Sequence, residues 1–478
     1  MEENFNTVEN MDLDIEKEGA MNKFNFKISK YKFSINKKTV YIVGCGIILL
    51  FLLIIIISVS VLGGNKKKDN PNKQDENKDT CEKGEDDLCL TCDGNKCGSC
   101  NDKYDLVNGV CEPTFDIKSI YIAISNHEKI TLFNETYNKY IIEMEVDGQK
   151  VSPSNNYVFQ QAGNHTVYLS METEKLDSFC KMFYQIDRLE SIFFTKKLDT
   201  KNIVSMERMF VHCDSLKSIN MFYFNTENVK NLEYFMYSSI NLESLKLPKS
   251  KASNLVKANY MFNECKKLNS IDFTNFIVDS NNLAEFHGVF QSCNQLEYVN
   301  LTNFNLQEVT DMGELFSDCH SLKSINFPDM KTNKLEVMNK IFYGCKSLKT
   351  LNLSNFNTEN VVEMKYIFYN CSSLESIDVS SFNTKNVKNM NSFFYGCSSL
   401  ISLDLSTFNT EKVLQLLEMF AMCTHLSYLD ISSFSIKTEN YFDIFDGIHS
   451  EGTIKLNKNI YEKIQKYIPS NWEKKFVD

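Results

Sequence analysis

The chain of 478 residues has 43% hydrophobic residues, a formal charge of −11 and a pI near 5.3. Its length allows several globular domains. Its acidic balance excludes general nucleic-acid binding, which needs a basic surface to displace counterions from phosphates; an anionic partner would need a local basic patch.

Residues 1–38 read as a cytosolic tail. They end in KFNFKISKYKFSINKK, where Phe24, Phe26, Tyr31 and Phe33 alternate with lysines, a composition suited to the zone beside anionic lipid headgroups. Thr39 to Leu62 follows, 24 residues without a charge. At about 1.5 Å per residue that run spans a hydrocarbon core, and it predicts one transmembrane helix retained as a signal anchor. Lysines are nearly balanced on its two sides, so the charge rule does not orient it. Residues 63–80, polar and glycine-tipped, read as a flexible stalk.

Cys81, Cys89, Cys92, Cys97, Cys100 and Cys111 crowd into 31 residues with two CxxC pairs, CLTC and CGSC. Such density predicts a disulfide-stapled module over 81–113, outside the cytosol. A zinc site is the alternative, but four residues between the pairs is short for a zinc ribbon, where the gap is about 15 to 20. The oxidised reading makes the chain a type II membrane protein with residues 63–478 outside. The module resembles the small cysteine-rich modules of protist surface proteins, through the ending Tyr104-Asp-Leu-Val-Asn-Gly-Val-Cys111.

Residues 114–175 alternate apolar and polar in short runs (KSIYIAIS, KITLFN, YIIEMEV, NYVFQQ, HTVYLSM) separated by Asp147-Gly148 and Ala162-Gly163-Asn164. The pattern predicts a small antiparallel β module that caps the repeats.

From 176 to 449 the chain repeats itself. Cys213, Cys265, Cys293, Cys319, Cys345, Cys371, Cys397 and Cys423 stand 26 or 28 residues apart, apart from one gap where Ser239 holds the missing place; Ile186 opens a series of ten. Leucine follows each position by three, and phenylalanine precedes it by three except at Met236. Within one unit Val361, Met364, Phe368 and Cys371 step by 3, 4 and 3, which predicts a helix, with Thr358 as its N-cap and Glu359 in its first turn. Leu374, Ile377 and Val379 then step by 3 and 2, which predicts a short strand. One strand and one helix per 26 residues predicts an α/β fold, a leucine-rich-repeat solenoid of about ten strand-helix units. Eight inward side chains per unit contribute at most about 12 to 24 kcal/mol gross. Ordering 26 residues costs on the order of 30 to 40 kcal/mol, so a unit needs its neighbours. The cysteine column reads as a set of small hydrophobes in a narrow slot, not a disulfide ladder or metal site. Residues 450–478 read as a C-terminal cap: a strand, GTIKLN, and a closing helix with Trp472.

The segment SLISLDLSTFNTEKVLQLLEMFAMC at 399–423 carries nearly whole the motif of the BspA-like branch of leucine-rich-repeat surface proteins of bacteria and protists, and residues 176–478 resemble that family. The resemblance implies cell-surface recognition, adhesion or matrix binding, and carries no catalytic residues across.

The strand column Asn300, Asn326, Asn352, Asp378, Asp404 and Asp430, with Tyr428 beside it, is expected to line a concave face open to a partner. Adjacent aspartates about 4.8 Å apart would suit a cationic surface or a hard cation such as calcium, against the plain alternative of a solvated polar face. Asn134, Asn164, Asn300, Asn352 and Asn370 begin N-x-S/T sequons. No nucleophile elbow, metal cluster or phosphate loop is present in the sequence, so neither enzymatic activity nor a cofactor is expected. The expected function is surface recognition of an extracellular protein or glycan through the solenoid. A membrane-tethered scaffold facing the cytosol is the alternative, and it requires the opposite topology.

Overall fold

In a computed structural model the chain is described over residues 23–28, 31–36, 89–93, 96–100, 103–107, 110–329 and 331–477. It divides into two compact units, Met1–Lys78 and Asp79–Asp478. In the first, β1 (Lys23–Ile28) and β2 (Tyr31–Asn36) pair antiparallel, from Lys23 opposite Asn36 to Ile28 opposite Tyr31. The span expected at 39–62, the stalk at 63–80 and Cys81 lie outside the described residues. Among the described residues no helix is long and apolar enough to cross a membrane.

The second unit is a β-solenoid, and this corrects the strand-helix reading. Among the described residues its one α-helix, α1 (Lys458–Ile464), lies beyond the repeats. Where a helix was expected, each coil makes two successive tight turns. Cys371 N–H donates to Phe368 O at 3.1 Å, and the third residue of each turn is left-handed, Tyr366 at φ 60° and Asn370 at φ 56°. The other amides leave the coil: Met364, Tyr366, Phe368 and Asn370 donate to the carbonyls of Asn389, Asn391, Phe393 and Tyr395 at 2.7 to 3.0 Å. A helix would send these amides four residues back along the same chain. Here alternate amides bond the next coil, and parallel bridges run from Ser178 through Asn231, Asp311 and Glu363 to Gln415. Thr358, expected as an N-cap, is instead a clamp between coils. Its hydroxyl accepts Asn383 N–H at 2.8 Å and donates to Asn383 O at 3.1 Å.

The sequence columns meet inside. Leu348, Leu374, Leu400, Phe342, Phe368 and Phe394 are fully buried. Phe290 and Phe316 stack 5.3 Å apart at 3°, and the ladder continues through Phe342, Phe368, Phe394 and Phe420 to Phe445. Such stacks add to the area term. All eight column cysteines are buried and free, and Cys180 is half-buried and free.

Before the coils, β3 (Cys89–Asp93) and β4 (Lys96–Cys100) form one hairpin, and β5 (Tyr104–Val107) and β6 (Val110–Pro113) a second. A disulfide joins Cys100 to Cys111 across them. Next come β7 (Ile117–Ala123), β8 (Glu128–Thr131), β9 (Ile141–Val146), β10 (Gln149–Val151), β11 (Asn156–Phe159) and β12 (Gly163–Met171). The first coil strands are β13 (Leu189–Phe194), β14 (Ser218–Asn220) and β15 (Ser244–Lys246). Seven of these make one sheet in the order β10-β9-β12-β7-β13-β14-β15. β7 therefore pairs antiparallel with β13 and hands the cap sheet over to the parallel coils. At the far end, strand Gly452–Asn457, α1 and strand Trp472–Val477 close the stack. Asn457 caps α1 by accepting Ile460 N–H at 3.0 Å, and the last strand presents Glu473 and Lys475, charges that blunt an open edge.

Candidate functional site

Side chains alternate across a strand, so each coil strand turns one residue inward and its neighbours outward. Ile219, Val299, Leu403 and Leu429 point in. The outward positions align from coil to coil: Ser218 with Ser244, Asn220 with Lys246, Tyr298 with Ser324, Asn300 with Asn326, Ser402 with Tyr428 and Asp404 with Asp430. Within the expected column, Asn300 is in register with Asn326 and Asp404 with Asp430.

Its polar atoms are engaged locally. The side-chain oxygens of Asn300, Asn352, Asp378, Asp404 and Asp430 each accept the amide two residues on, at 2.9 to 3.1 Å, closing the turn after the strand. Asn326 precedes Pro328, has no such amide to accept, and donates instead to Tyr298 Oη at 2.8 Å. The Ser380 hydroxyl, and then its amide, hold the Asp378 carboxyl below its ordinary range. Asp430 is only 2% exposed and pairs with Lys455 at 3.0 Å. Burial would raise its pKa, but bonds from Ser432 and Lys455 outweigh that and lower it. These carboxylates are spent on turns and one ion pair, and among the described residues no group of three or more His, Cys, Asp or Glu is placed to hold a metal ion. What the face offers a partner is a row of small polar groups with exposed Tyr298, Ile401 and Tyr428 among them.

Followed toward the N-terminus, the same face opens into a cleft of about 860 Å³. Its floor is the outer side of β7, β13, β14 and β15, with Lys118, Ile120, Ser191, Phe193, Ser218, Asn220, Ser244 and Lys246. Its wall is Lys103, Tyr104 and Phe115 from the disulfide-held hairpin and its exit. The aromatic groups brace one another: Phe115 meets Tyr168 edge-on at 4.7 Å and Tyr104 at 5.9 Å. Lys103 pairs with Glu145 and lies 5.2 Å from the Tyr168 ring centre. Lys118 stands 6.0 Å from that ring, and Lys246 stands 4.9 Å over Phe222. Neither Lys118 nor Lys246 has an acidic partner among the described residues. The sequence reading missed this cleft because its residues come from separate segments spread from Lys103 to Asn275; the alternation in KSIYIAIS was the one available signal that Lys118 faces outward.

Of the module's six cysteines, Cys100 and Cys111 are the two whose side chains are described, and they form a disulfide. In the backbone register Cys89 lies opposite Cys100 and Cys92 opposite Cys97.

The buried column cysteines have no reactive character. Burial pushes the thiols of Cys293 and Cys423 up to about 12 and raises those of the other column cysteines as well. Each thiol donates to a phenylalanine or methionine carbonyl of an earlier coil, as Cys319 does to Phe290 O at 3.0 Å.

Comparison with known families gives a match to a model described as "Mycoplasma protein of unknown function, DUF285" over residues 154–276, 274–376 and 336–457. These segments cover the whole solenoid and the last strands of the cap. No curated protein matches the chain.

Proposed function

The chain belongs to the DUF285 family, a BspA-like repeat family, and from that premise we propose that it is a cell-surface recognition protein whose solenoid strand face, with the cleft at its start, binds an extracellular partner. The observation that carries this reading is the uncovered face itself. Its backbone is satisfied by the coils on either side, its inward side chains make the core, and its outward row is free to touch another molecule. Recognition surfaces built on solenoids have this form. The Cys100–Cys111 disulfide supports placement outside the cytosol, where such bonds persist.

Two measurements test it. Protease treatment of intact cells should remove the repeat region from an immunoblot, and purified full-length chain should bind cell surfaces in a saturable manner. Full protection of the repeats, or binding no greater than that of an unrelated acidic protein, sinks the proposal.

A further inference from the structure

We infer that the cleft between the cap and the first coils is a site for the acidic units of an anionic oligosaccharide. The inference rests on the recognition reading above and names the ligand class. The first argument is charge. The lining carries three lysines against one carboxylate, Asp272, in a chain whose net charge is −11. Of these lysines only Lys103 is neutralised, by Glu145. Lys118 and Lys246 enter the cleft with aromatic rings as their neighbours and no acid within ion-pair distance among the described residues. A cation so placed keeps its attraction for an incoming anion.

The second argument is shape and surface. The floor is a sheet whose strands β7, β13 and β14 are each bonded on both sides, so a peptide finds no free strand edge there to extend. What the floor presents is hydroxyls and an amide, from Ser191, Ser218, Ser244 and Asn220, between the rings of Tyr168, Phe193 and Phe222. Hydroxyl and amide partners flanked by aromatic surface suit sugar rings, whose edges hydrogen-bond and whose faces are apolar. Beyond β15 the face continues as the row of Asp272, Asn300 and Asn326, of which Asn326 alone does not spend its side-chain oxygen on closing a turn and can accept a hydroxyl hydrogen. A chain with an acidic head in the cleft and hydroxylated units along the coils meets complementary groups throughout.

The test is calorimetric titration of the full-length protein with a hyaluronan octasaccharide, a heparin-derived octasaccharide, a neutral cello-oligosaccharide and an octaglutamate peptide. At least one acidic oligosaccharide should bind more tightly than the neutral chain and the peptide, and its affinity should fall as salt is raised. The double variant Lys118→Ala/Lys246→Ala should lose about tenfold or more in affinity. Phe222→Ala should weaken binding with the salt slope unchanged, and Lys466→Ala, at an exposed lysine of the C-terminal cap, should leave it unaltered. Far-UV circular dichroism and retention of the Cys100–Cys111 disulfide report whether each variant is folded. Equal binding of the peptide, equal binding of the neutral chain, binding indifferent to the lysine pair, or no binding at all overturns the inference. Cell binding by the same wild-type preparation is measured in parallel. If cells bind and acidic oligosaccharides do not, this inference falls while the recognition reading stands.

Discussion

The Sγ of Cys371 lies 3.1 Å from the carbonyl oxygen of Phe342, 29 residues earlier. That carbonyl already accepts the amide of Cys345 at 3.1 Å, so the thiol fills its second lone pair. The thiol-to-carbonyl bond recurs in each column cysteine, and Ser239 makes its counterpart with Phe210 O at 2.7 Å. The column therefore selects a small side chain that donates a hydrogen bond, which is why serine replaces cysteine there without a change of fold. Cys371→Ser should stay within about 1 kcal/mol of the native stability in urea unfolding, and Cys371→Ala should lose about 1 to 3 kcal/mol. Equal losses would show that volume alone decides the position.

Buried thiols with raised pKa carry no thiolate at neutral pH and meet no reagent. Nine cysteines from Cys180 to Cys423 are free, and only Cys180 is not fully buried. Burial and then the nearby Glu207 raise the Cys180 thiol too, with Lys181 and Arg208 pulling against them. Under native conditions iodoacetamide should modify Cys180 slowly and the eight column thiols not at all, as read by peptide mass spectrometry. Fast labelling of Cys345 or Cys371 in native buffer would contradict the burial.

Thr384 clamps one coil to the next. Its hydroxyl accepts Asn409 N–H at 2.8 Å and donates to Asn409 O at 2.9 Å, and the residue is 1% exposed. Thr384→Val keeps the shape and orphans both backbone groups, at a cost of about 2 to 4 kcal/mol. Thr384→Ser keeps the hydroxyl and should cost well under half of that. The comparison is of urea midpoints at constant slope, and similar midpoints for the two variants would refute the clamp.

Much of this was legible in the sequence. The period fixed which residues meet, and Leu374, Phe368 and Cys371 are fully buried together. The conformation between them was not legible, because steps of 3 and 4 arise from a helix and also from consecutive four-residue turns. The two differ at the third turn position, which must be left-handed. Gly344, Gly396 and Asn370 suit it, but Tyr366, Lys340 and Glu418 occupy it as well and hide the signal. The use of the Asn and Asp column in turn closure depends on an amide two residues on, which no column pattern displays.

Left-handed residues other than glycine are strained by about 1 to 2 kcal/mol each, part of which glycine gives back through its freedom in the unfolded chain. Gln185 is exposed at φ 57°, and Gln185→Gly should stabilise the fold by about 0.5 to 1 kcal/mol. Gly344 is the opposite case: its φ is 70°, and a Cβ there would sit 2.7 Å from Asp318 Oδ1 in the preceding coil. Gly344→Ala should therefore destabilise, by about 1 to 3 kcal/mol. Thermal unfolding of both variants measures the pair, and a stabilised Gly344→Ala would disprove the turn assignment.

The last prediction concerns pH. His287 Nδ1 lies 3.1 Å from both Asp311 oxygens, and Glu314 stands 4.0 Å from Nε2. The hydrogen bond to Asp311 raises the imidazole's pKa most; burial opposes it, Asp311 and Glu314 charges add to it, and Lys340 subtracts. A histidine whose folded pKa lies above its unfolded value of about 6.5 adds stability that is complete below that value. The contribution fades as pH rises through the folded pKa, because the ring then loses its charge while the two carboxylates remain. Unfolding free energy should therefore decline from pH 6 toward pH 8 in the native chain, and His287→Gln should flatten that part of the profile. An NMR titration of the His287 ring checks the cause directly: an imidazole that titrates below its free value would remove the argument, because burial would then outweigh both carboxylates.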